Sequence, residues 1–297
     1  MRWRGVFPAI TTPFRPDLAI DFELLRRQVG WLIDQGCQGI VPLGSLGEGA
    51  TLSFAEKGAV LDACTEAAAG RVPVVAGVAA LSTAEAAALA REAAARGCDG
   101  LMVLPPYVYV GDERETREHY EAVIGATPLP CMLYNNPIAY RTDVNPALLA
   151  ELCAALPNLE AVKESTGDVR RVTAIRALLG SRIAIFIGVD DLILEGVQAG
   201  AVGWIAGLVD ALPAESVHLF DLAATGRIAE ARRLYDWFLP LLRLDTVPKF
   251  VQLIKLVQAE VGMGSPTVRP PRLELAGTER EAALALIRDC LARRPAL

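Results

Sequence analysis

Along most of this chain, short apolar runs alternate with longer Ala-rich segments of helical periodicity, and this alternation restricts the fold more than any other feature. The apolar runs have the length of strands, and eight are predicted, at residues 6–12, 40–43, 72–77, 101–104, 130–134, 159–163, 183–188 and 201–206. The helices that follow them are predicted at residues 21–35, 53–69, 82–96, 112–126, 145–155, 168–179, 192–199 and 213–225. The chain is therefore predicted to be an α/β protein of eight strand–helix units.

A weak internal repeat supports these units. Gly36-Cys-Gln-Gly-Ile, Gly97-Cys-Asp-Gly-Leu and Gly200-Ala-Val-Gly-Trp each close a helix and open a strand, and glycine suits the positive φ of a helix C-terminus. Eight such units indicate a (β/α)8 TIM barrel whose site lies at the C-terminal ends of the strands. A doubly wound open sheet is the alternative, but no strand is followed by the G-x-G-x-x-G turn of the dinucleotide-binding version of that fold.

The pattern changes after residue 225. Residues 228–242, 249–261 and 278–291 read as helices without intervening strands. Three helices form an independent core only with difficulty, so we expect residues 226–297 to be a C-terminal helical region packed on a barrel of residues 1–225.

Charge and hydropathy exclude several classes of partner. The net charge is −6 and there is no basic run, which argues against a nucleic-acid partner. The longest uncharged stretch, residues 122–140, contains three prolines and cannot be a membrane helix. The N-terminus lacks the features of a signal peptide. We therefore expect a soluble, cytoplasmic protein.

Cysteine and histidine usage argues against a metal site. The six cysteines occur singly, without a CxxC motif, and are expected to be reduced thiols, mostly in the core. The two histidines, His119 and His218, have no partners at ligand spacing and are expected to pack on helices or lie at the surface. No metal and no organic cofactor is predicted.

The sixth predicted strand ends on a lysine, Lys163, which is one of only four lysines in the chain. Burial at such a position favours the neutral amine, which is the form that attacks a carbonyl carbon. Taken alone, the residue is better explained as a lysine whose stem follows the strand while its head reaches water.

Other strand ends carry groups that complement an amine. The second strand runs into Gly44-Ser-Leu-Gly-Glu-Gly, whose backbone N–H groups can cradle a carboxylate. The fifth ends at Tyr134, a phenol able to transfer protons, and the fourth is followed by Tyr107 and Tyr109. The seventh ends in Gly188-Val-Asp-Asp, where an aspartate is expected to cap the next helix rather than bind metal. Together, these groups indicate a lysine that forms an imine with a 2-oxo acid.

The motifs Gly44-Ser-Leu-Gly-Glu, Tyr134-Asn-Asn-Pro, Val162-Lys-Glu-Ser and Gly188-Val-Asp-Asp resemble, in order and spacing, those of the dihydrodipicolinate synthase / N-acetylneuraminate lyase family. The resemblance covers nearly the whole chain. It implies a (β/α)8 barrel with an added helical region, lysine Schiff-base chemistry and a homo-oligomer, either a tetramer or a dimer.

The resemblance also implies the roles of individual residues. Lys163 is expected to form the imine and Tyr134 to donate and accept the proton. The Ser45 hydroxyl is expected to link Tyr134 into a proton relay. In the family, a tyrosine from the loop after the fourth strand, often from a neighbouring subunit, completes this relay. We name Tyr109 for this position, with Tyr107 as its competitor. The expected substrate-binding residues are Leu46, through its amide, Gly188, Asp190, Ile205 and Thr12.

Two departures bear on the substrate. The synthase usually has two threonines in the strand-two loop, where this chain has Ser45 and Leu46. It also has an arginine five residues after the tyrosine, to hold a second carboxylate, where this chain has Ala139, with Arg141 two residues later. Lysine biosynthesis therefore becomes less favoured.

The motifs Val6-Phe-Pro-Ala-Ile-Thr-Thr-Pro-Phe, Tyr134-Asn-Asn-Pro-Ile-Ala-Tyr and Val268-Arg-Pro-Pro-Arg-Leu are similar to those of a narrower branch, the deaminases of hydroxyproline degradation. These enzymes convert 1-pyrroline-4-hydroxy-2-carboxylate to 2,5-dioxopentanoate and ammonia. The alternatives are 4-hydroxy-tetrahydrodipicolinate synthase, an N-acetylneuraminate or 2-keto-3-deoxygluconate type aldolase or dehydratase, and a barrel that binds an oxo acid without turning it over.

Overall fold

The strands run parallel in one curled sheet. The structure is a computed structural model that describes all 297 residues. The order in the sheet is β1-β7-β6-β5-β4-β3-β2. The strands are β1 (Gly5–Pro8), β2 (Val75–Val78), β3 (Gly100–Val103), β4 (Cys131–Asn135), β5 (Leu159–Glu164), β6 (Ala184–Ile187) and β7 (Gly203–Ala206).

The predicted second strand, residues 40–43, forms only two single bridges. Val41 pairs with Ala9 next to β1, and Ile40 pairs with Val74 next to β2, so this segment closes the sheet between β1 and β2. The ladder stops there because Pro42 has no N–H to donate and Leu43 adopts a positive φ of 67°. The expectation of a regular strand is wrong here, but the segment occupies the position that closes the barrel.

Helices follow the strands and surround the sheet. They are α1 (Phe22–Asp34), α2 (Phe54–Ala68), α3 (Thr83–Ala95), α4 (Glu113–Ile124), α5 (Pro137–Tyr140), α6 (Pro146–Ala155), α7 (Arg170–Leu179), α8 (Ile193–Gln198) and α9 (Pro213–Ala224). The short α5 was not predicted, since four residues carry no periodic signal. None of the helices combines the length and apolar composition needed to span a bilayer.

The apolar core has two layers, as expected for a closed barrel. One cluster fills the barrel interior and includes Phe7 and Phe186, whose rings meet edge to face at 5.2 Å. The larger cluster lies between the strands and the helices. All six cysteines are buried and unpaired. The predicted (β/α)8 barrel is confirmed.

The C-terminal region adds α10 (Ile228–Leu242), α11 (Phe250–Glu260) and α12 (Gly277–Ala292). Buried contacts cross the predicted division at residue 225. Thr11 Oγ1 donates to Gln258 Oε1 at 2.8 Å, and Gln258 Nε2 donates to the carbonyl of Asp210 at 3.3 Å. The C-terminal helices are thus packed on the barrel near its mouth, while the exact division remains a prediction.

Candidate active site

Lys163 and Tyr134 lie side by side at the C-terminal ends of β5 and β4, where they are partners in the strand register. The Lys163 Nζ lies 4.3 Å from the centroid of the Tyr134 ring. Lys163 is 6% exposed, and its Nζ atom forms neither a hydrogen bond nor an ion pair within the protein. The structure therefore places the Lys163 amine, which has no protein acceptor, next to the Tyr134 phenol at the barrel face where the sequence predicts both.

The next register pair, Asn135 and Glu164, fixes these two strand ends relative to each other. Asn135 Nδ2 donates to Glu164 Oε2 at 3.2 Å, and the Thr166 N–H donates to Glu164 Oε1 at 2.7 Å. Burial raises the pKa of the Glu164 carboxyl, although these donors oppose the effect. Because side chains alternate along a strand, this buried pair points away from the barrel interior and supports Tyr134 and Lys163 from behind.

Three tyrosines form a cluster at the mouth. The Tyr134 hydroxyl accepts a hydrogen bond from Asn136 Nδ2 at 3.0 Å. Its ring lies 5.8 Å from that of Tyr140, which lies 5.7 Å from the ring of Tyr107. The Ser45 hydroxyl is hydrogen-bonded to the hydroxyl of Tyr140, so the structure places Ser45 against Tyr140 rather than directly against Tyr134.

Sequence reasoning gave no role to Tyr140. The short helix α5 brings it back over the site, because Asn136 caps that helix through a 3.0 Å bond from the Ala139 N–H and Pro137 starts it. Burial raises the pKa of the Tyr140 hydroxyl well above 10, so this group stays protonated and can donate. The sequence feature that could have indicated a role for Tyr140 is the motif Tyr134-Asn-Asn-Pro-Ile-Ala-Tyr, which ends at this residue.

Tyr109 lies outside this cluster within one protomer. Its side chain is exposed, and its hydroxyl donates to the carboxylate of Glu115 at 3.1 Å. Of the two competing tyrosines, Tyr107 is the one that contacts the cluster within one chain.

The strand-two loop has free amide donors. The backbone N–H groups of Ser45 and Leu46 donate to no acceptor in the protein. A Cβ at Gly49 would lie 2.4 Å from the carbonyl oxygen of Leu43, so only glycine allows this tight path. Two adjacent unpaired N–H groups next to the Ser45 hydroxyl suit a substrate carboxylate.

Thr12 supports this loop. Its hydroxyl donates to the carbonyl oxygen of Gly47 at 2.6 Å, and its side chain is buried. The Thr12 hydroxyl is therefore already hydrogen-bonded within the protein. From this position Thr12 affects the Ser45 and Leu46 amides only indirectly, by holding the loop that carries them.

A buried ion pair ties the same loop to the C-terminal region. Glu48, which has a positive φ of 53°, accepts from Lys255 Nζ at 2.5 Å and from the Arg269 N–H at 3.0 Å. Burial lowers the pKa of Lys255 to about 8, against the opposing effect of the Glu48 charge. Because both side chains are almost fully buried, this pair fixes the loop's exit.

The absence of a side chain at Gly188 leaves room for the side chain of Lys163. A Cβ at this position would lie 2.5 Å from Lys163 Cε and 2.1 Å from Ser165 Oγ, so any side chain would displace the amine or the hydroxyl. The Ser165 hydroxyl is buried without a hydrogen-bond partner. Sequence reasoning did not assign Ser165, although it directly follows the Lys-Glu pair.

Asp190 does not cap the helix that follows it, contrary to the expectation. Its buried carboxylate accepts from the Trp204 indole at 3.1 Å and from the N–H groups of Gly207 and Leu208 at 3.2 and 2.9 Å. Burial raises its pKa to about 6, although these donors and the Lys163 charge oppose the rise. The Asp190 carboxylate holds the end of β7 in place, because the N–H groups of Gly207 and Leu208 have no other acceptor there. The carboxylate bonds to these two N–H groups and not to those of the short helix that follows it.

The remaining predicted residue, Ile205, belongs to the apolar interior of the barrel together with Tyr134 and Phe186. It forms part of the floor under the site. His119, which was expected to be structural, is buried, with one ring nitrogen 3.0 Å from the Thr83 hydroxyl and the other 3.3 Å from the Leu104 carbonyl. No group of three or more metal-ligating side chains converges in the structure.

Comparison with known proteins agrees with this geometry. Residues 2–289 match the model of the dihydrodipicolinate synthetase family. The 4-hydroxy-tetrahydrodipicolinate synthase of Sorangium cellulosum (strain So ce56) is 36% identical over 293 residues, which cover 98% of this chain and 97% of the relative.

Solved structures agree as well. A dihydrodipicolinate synthase from Aquifex aeolicus superposes with a TM-score of 0.93 at 27% identity, covering 97% of this chain and 98% of that one. The chloride-inhibited dihydrodipicolinate synthase from Acinetobacter baumannii, complexed with pyruvate, gives a TM-score of 0.92 at 30% identity, with the same coverage. The chain is therefore a lysine Schiff-base lyase and a member of the dihydrodipicolinate synthetase family.

Proposed function

We propose that Lys163 forms an imine with a small 2-oxo or cyclic imino acid, that Tyr134 transfers the proton, and that the amides of Ser45 and Leu46 hold the substrate carboxylate. The observation that carries this proposal is the amine of Lys163, which has no protein acceptor and lies 4.3 Å from the Tyr134 ring centroid. An imine withdraws electrons, so it acidifies the neighbouring carbon for a nearby base.

The substrate that we propose is 1-pyrroline-4-hydroxy-2-carboxylate, which carries one carboxylate. Support comes from the likeness to the deaminase branch and from the absence of a second-carboxylate clamp. Ala139 occupies the position expected for the arginine, and Arg141 has an exposed side chain that forms no ion pair. A single cradle at Ser45 and Leu46 matches a monocarboxylate.

The chemistry then follows from these groups. Lys163 attacks C2 of the pyrroline, and the ring C2–N bond breaks, which leaves a lysine-bound imine at C2 and an amine at C5. A proton leaves C3 toward Tyr134, and the hydroxyl at C4 leaves as water. The unsaturated imine tautomerises to an imine at C5. Water then hydrolyses both imines, releasing ammonia, 2,5-dioxopentanoate and free Lys163. One water is lost and two are consumed, so the net reaction adds one water.

The test is an assay for ammonia and for the aldehyde, with purified enzyme and 1-pyrroline-4-hydroxy-2-carboxylate. We expect both products in equal amounts from the wild type and neither from Lys163→Ala. If the wild type releases no ammonia but borohydride traps pyruvate on Lys163, the imine chemistry stands and the deaminase assignment is wrong.

A second candidate is 4-hydroxy-tetrahydrodipicolinate synthase, which the name of the Sorangium relative favours. This reaction condenses pyruvate with aspartate semialdehyde, whose own carboxylate needs a binding group. Assaying both reactions on the same preparation separates the candidates, since the synthase consumes pyruvate and the deaminase does not.

We also propose that the protein acts as a homo-oligomer, either a tetramer or a dimer. The loop after β3 exposes three neighbouring apolar or aromatic side chains, Val108, Tyr109 and Val110, and Val108 has a positive φ of 74°. A strained, apolar loop beside the site is consistent with a face that a second copy covers. Sedimentation velocity is the test, and a monomer at micromolar concentration would contradict the proposal.

A further inference from the structure

Asp245 brings a carboxyl group from the C-terminal region to the mouth of the barrel. It lies in a single 3-10 turn, Arg243–Thr246, directly after α10. A Cβ at Gly207 would lie 2.2 Å from Asp245 Oδ1 and 3.0 Å from Leu46 Cδ2. The carboxyl therefore lies between the end of β7 and the loop that carries the free amides.

The Asp245 Oδ1 atom is buried and has no hydrogen-bond partner. This contrasts with the neighbouring Asp190, whose carboxylate accepts three hydrogen bonds. Because a buried carboxyl oxygen without a donor is disfavoured, such atoms in native proteins call for an explanation, and a bound ligand can supply the missing donor.

Asp245 has no cation of its own. Burial and the charge of Asp190 raise its pKa well above the ordinary range, while the Lys163 charge opposes that rise. Arg243, in the same turn, lies 3.4 Å from Asp191 and leaves Asp245 without a cation of its own. Asp245 therefore has no ion-pair partner in the protein.

We propose that Asp245 determines specificity by forming a hydrogen bond with a hydroxyl or amino group at the end of the substrate remote from the imine carbon. The inference rests on the proposed imine at Lys163. It extends that function because it assigns the recognition of the substrate's remote end to the helical region, a part of the chain outside the barrel units.

The experiment uses two five-carbon probes that differ by one hydroxyl, 5-hydroxy-2-oxopentanoate and 2-oxopentanoate. Each is incubated with the purified full-length protein and borohydride, and the adduct on Lys163 is quantified by mass as a function of probe concentration. Pyruvate, which has no remote group, reports whether the imine site is assembled.

We expect the wild type to be half-saturated by the hydroxylated probe at a concentration about tenfold lower than by the other probe. Asp245→Ala should remove that preference while trapping pyruvate as the wild type does. Asp289→Ala is the matched control, since Asp289 lies on α12 and pairs only with Arg293 at the surface, and it should keep the preference.

A preference that survives in Asp245→Ala, or that is missing from the wild type, overturns the inference and leaves the imine chemistry intact. If no oxo acid, pyruvate included, forms an adduct with the wild type, the proposed function fails and the inference fails with it. If Asp245→Ala does not trap pyruvate, the same ratio is measured on Asp245→Ser, which keeps a polar group in the turn.

Discussion

Lys163 and Tyr134 are register partners on adjacent parallel strands, and the Lys163 Nζ lies over the Tyr134 ring at 4.3 Å from its centroid. The two residues are far apart in sequence, yet the strand pairing fixes their separation before any substrate is present. The Asn135–Glu164 hydrogen bond on the opposite face holds the same two strand ends together. This arrangement is preorganised for the imine formation and proton transfer that we propose.

The first prediction concerns the amine. Lys163→Ala should abolish turnover and the borohydride-trapped adduct with pyruvate, because no other side chain offers an amine at this position. Lys249→Ala is the control, since that lysine pairs with Glu279 at the surface and should retain the full adduct. Intact-protein mass spectrometry measures both. An adduct of unchanged mass and yield on the Lys163 variant would contradict the assigned role.

The second prediction concerns the proton. Tyr134→Phe keeps the ring beside Lys163 and removes the hydroxyl, which accepts only from Asn136. We expect kcat to fall by roughly a hundredfold or more, with trapping of pyruvate largely retained. Steady-state kinetics and trapping on the same preparation provide the test. Wild-type turnover in this variant would exclude Tyr134 as the proton carrier.

The third prediction concerns the contact between Ser45 and Tyr140. If the two hydroxyls act as one unit, Ser45→Ala and Tyr140→Phe should each lower kcat/KM, and the double variant should be little worse than the more impaired single variant. A double-mutant cycle in kcat/KM measures the coupling. Additive losses would show that the two groups act independently.

The fourth prediction concerns stability. Lys255→Met removes the cation that is hydrogen-bonded to the buried Glu48 carboxylate and leaves only Arg272, at 3.9 Å, so we expect a loss of about 3–5 kcal/mol in the free energy of unfolding. The surface change Lys249→Met is the matched control and should cost less than about 1 kcal/mol. Urea denaturation followed by circular dichroism compares them, and similar losses in the two variants would contradict the importance given to the buried pair.

The fifth prediction concerns pH. Burial raises the pKa of Asp190 from an ordinary 3.8 to about 6, so the folded protein holds this proton more tightly than the unfolded chain. The stability contributed by the protonated carboxyl is fully present below about pH 4 and is lost as the pH rises to about 6. The free energy of unfolding of the wild type relative to Asp190→Asn should therefore fall over that interval by at most about 3 kcal/mol, and then level off.

Urea titrations between pH 4 and 8 measure this difference. Asp289→Asn serves as the control, because its carboxylate is exposed and paired with Arg293. A wild-type advantage that grows between pH 4 and 6 would have the wrong sign for a carboxyl that burial protonates.

The amino-acid sequence by itself determined the barrel, the C-terminal helices, the family and the position of Lys163 and Tyr134 at strand ends. These features follow from periodicity, strand length and ordered motifs, all of which are local properties of the chain. The sequence did not determine which distant segments are in contact. Ser45 meets Tyr140 only because α5 folds back over the mouth, and Asp190 binds the end of β7 because unpaired N–H groups lie there.

The tertiary structure alone also decided the roles of Glu48, Lys255 and Asp245. Each of these charged side chains looks like a surface residue in its own helix or loop. Glu48, Lys255 and the Oδ1 atom of Asp245 are buried only because the C-terminal region closes over the barrel. Whether a charged side chain is buried, and which groups it pairs with, depends on which segments pack together in the folded protein. A local sequence pattern does not contain that information.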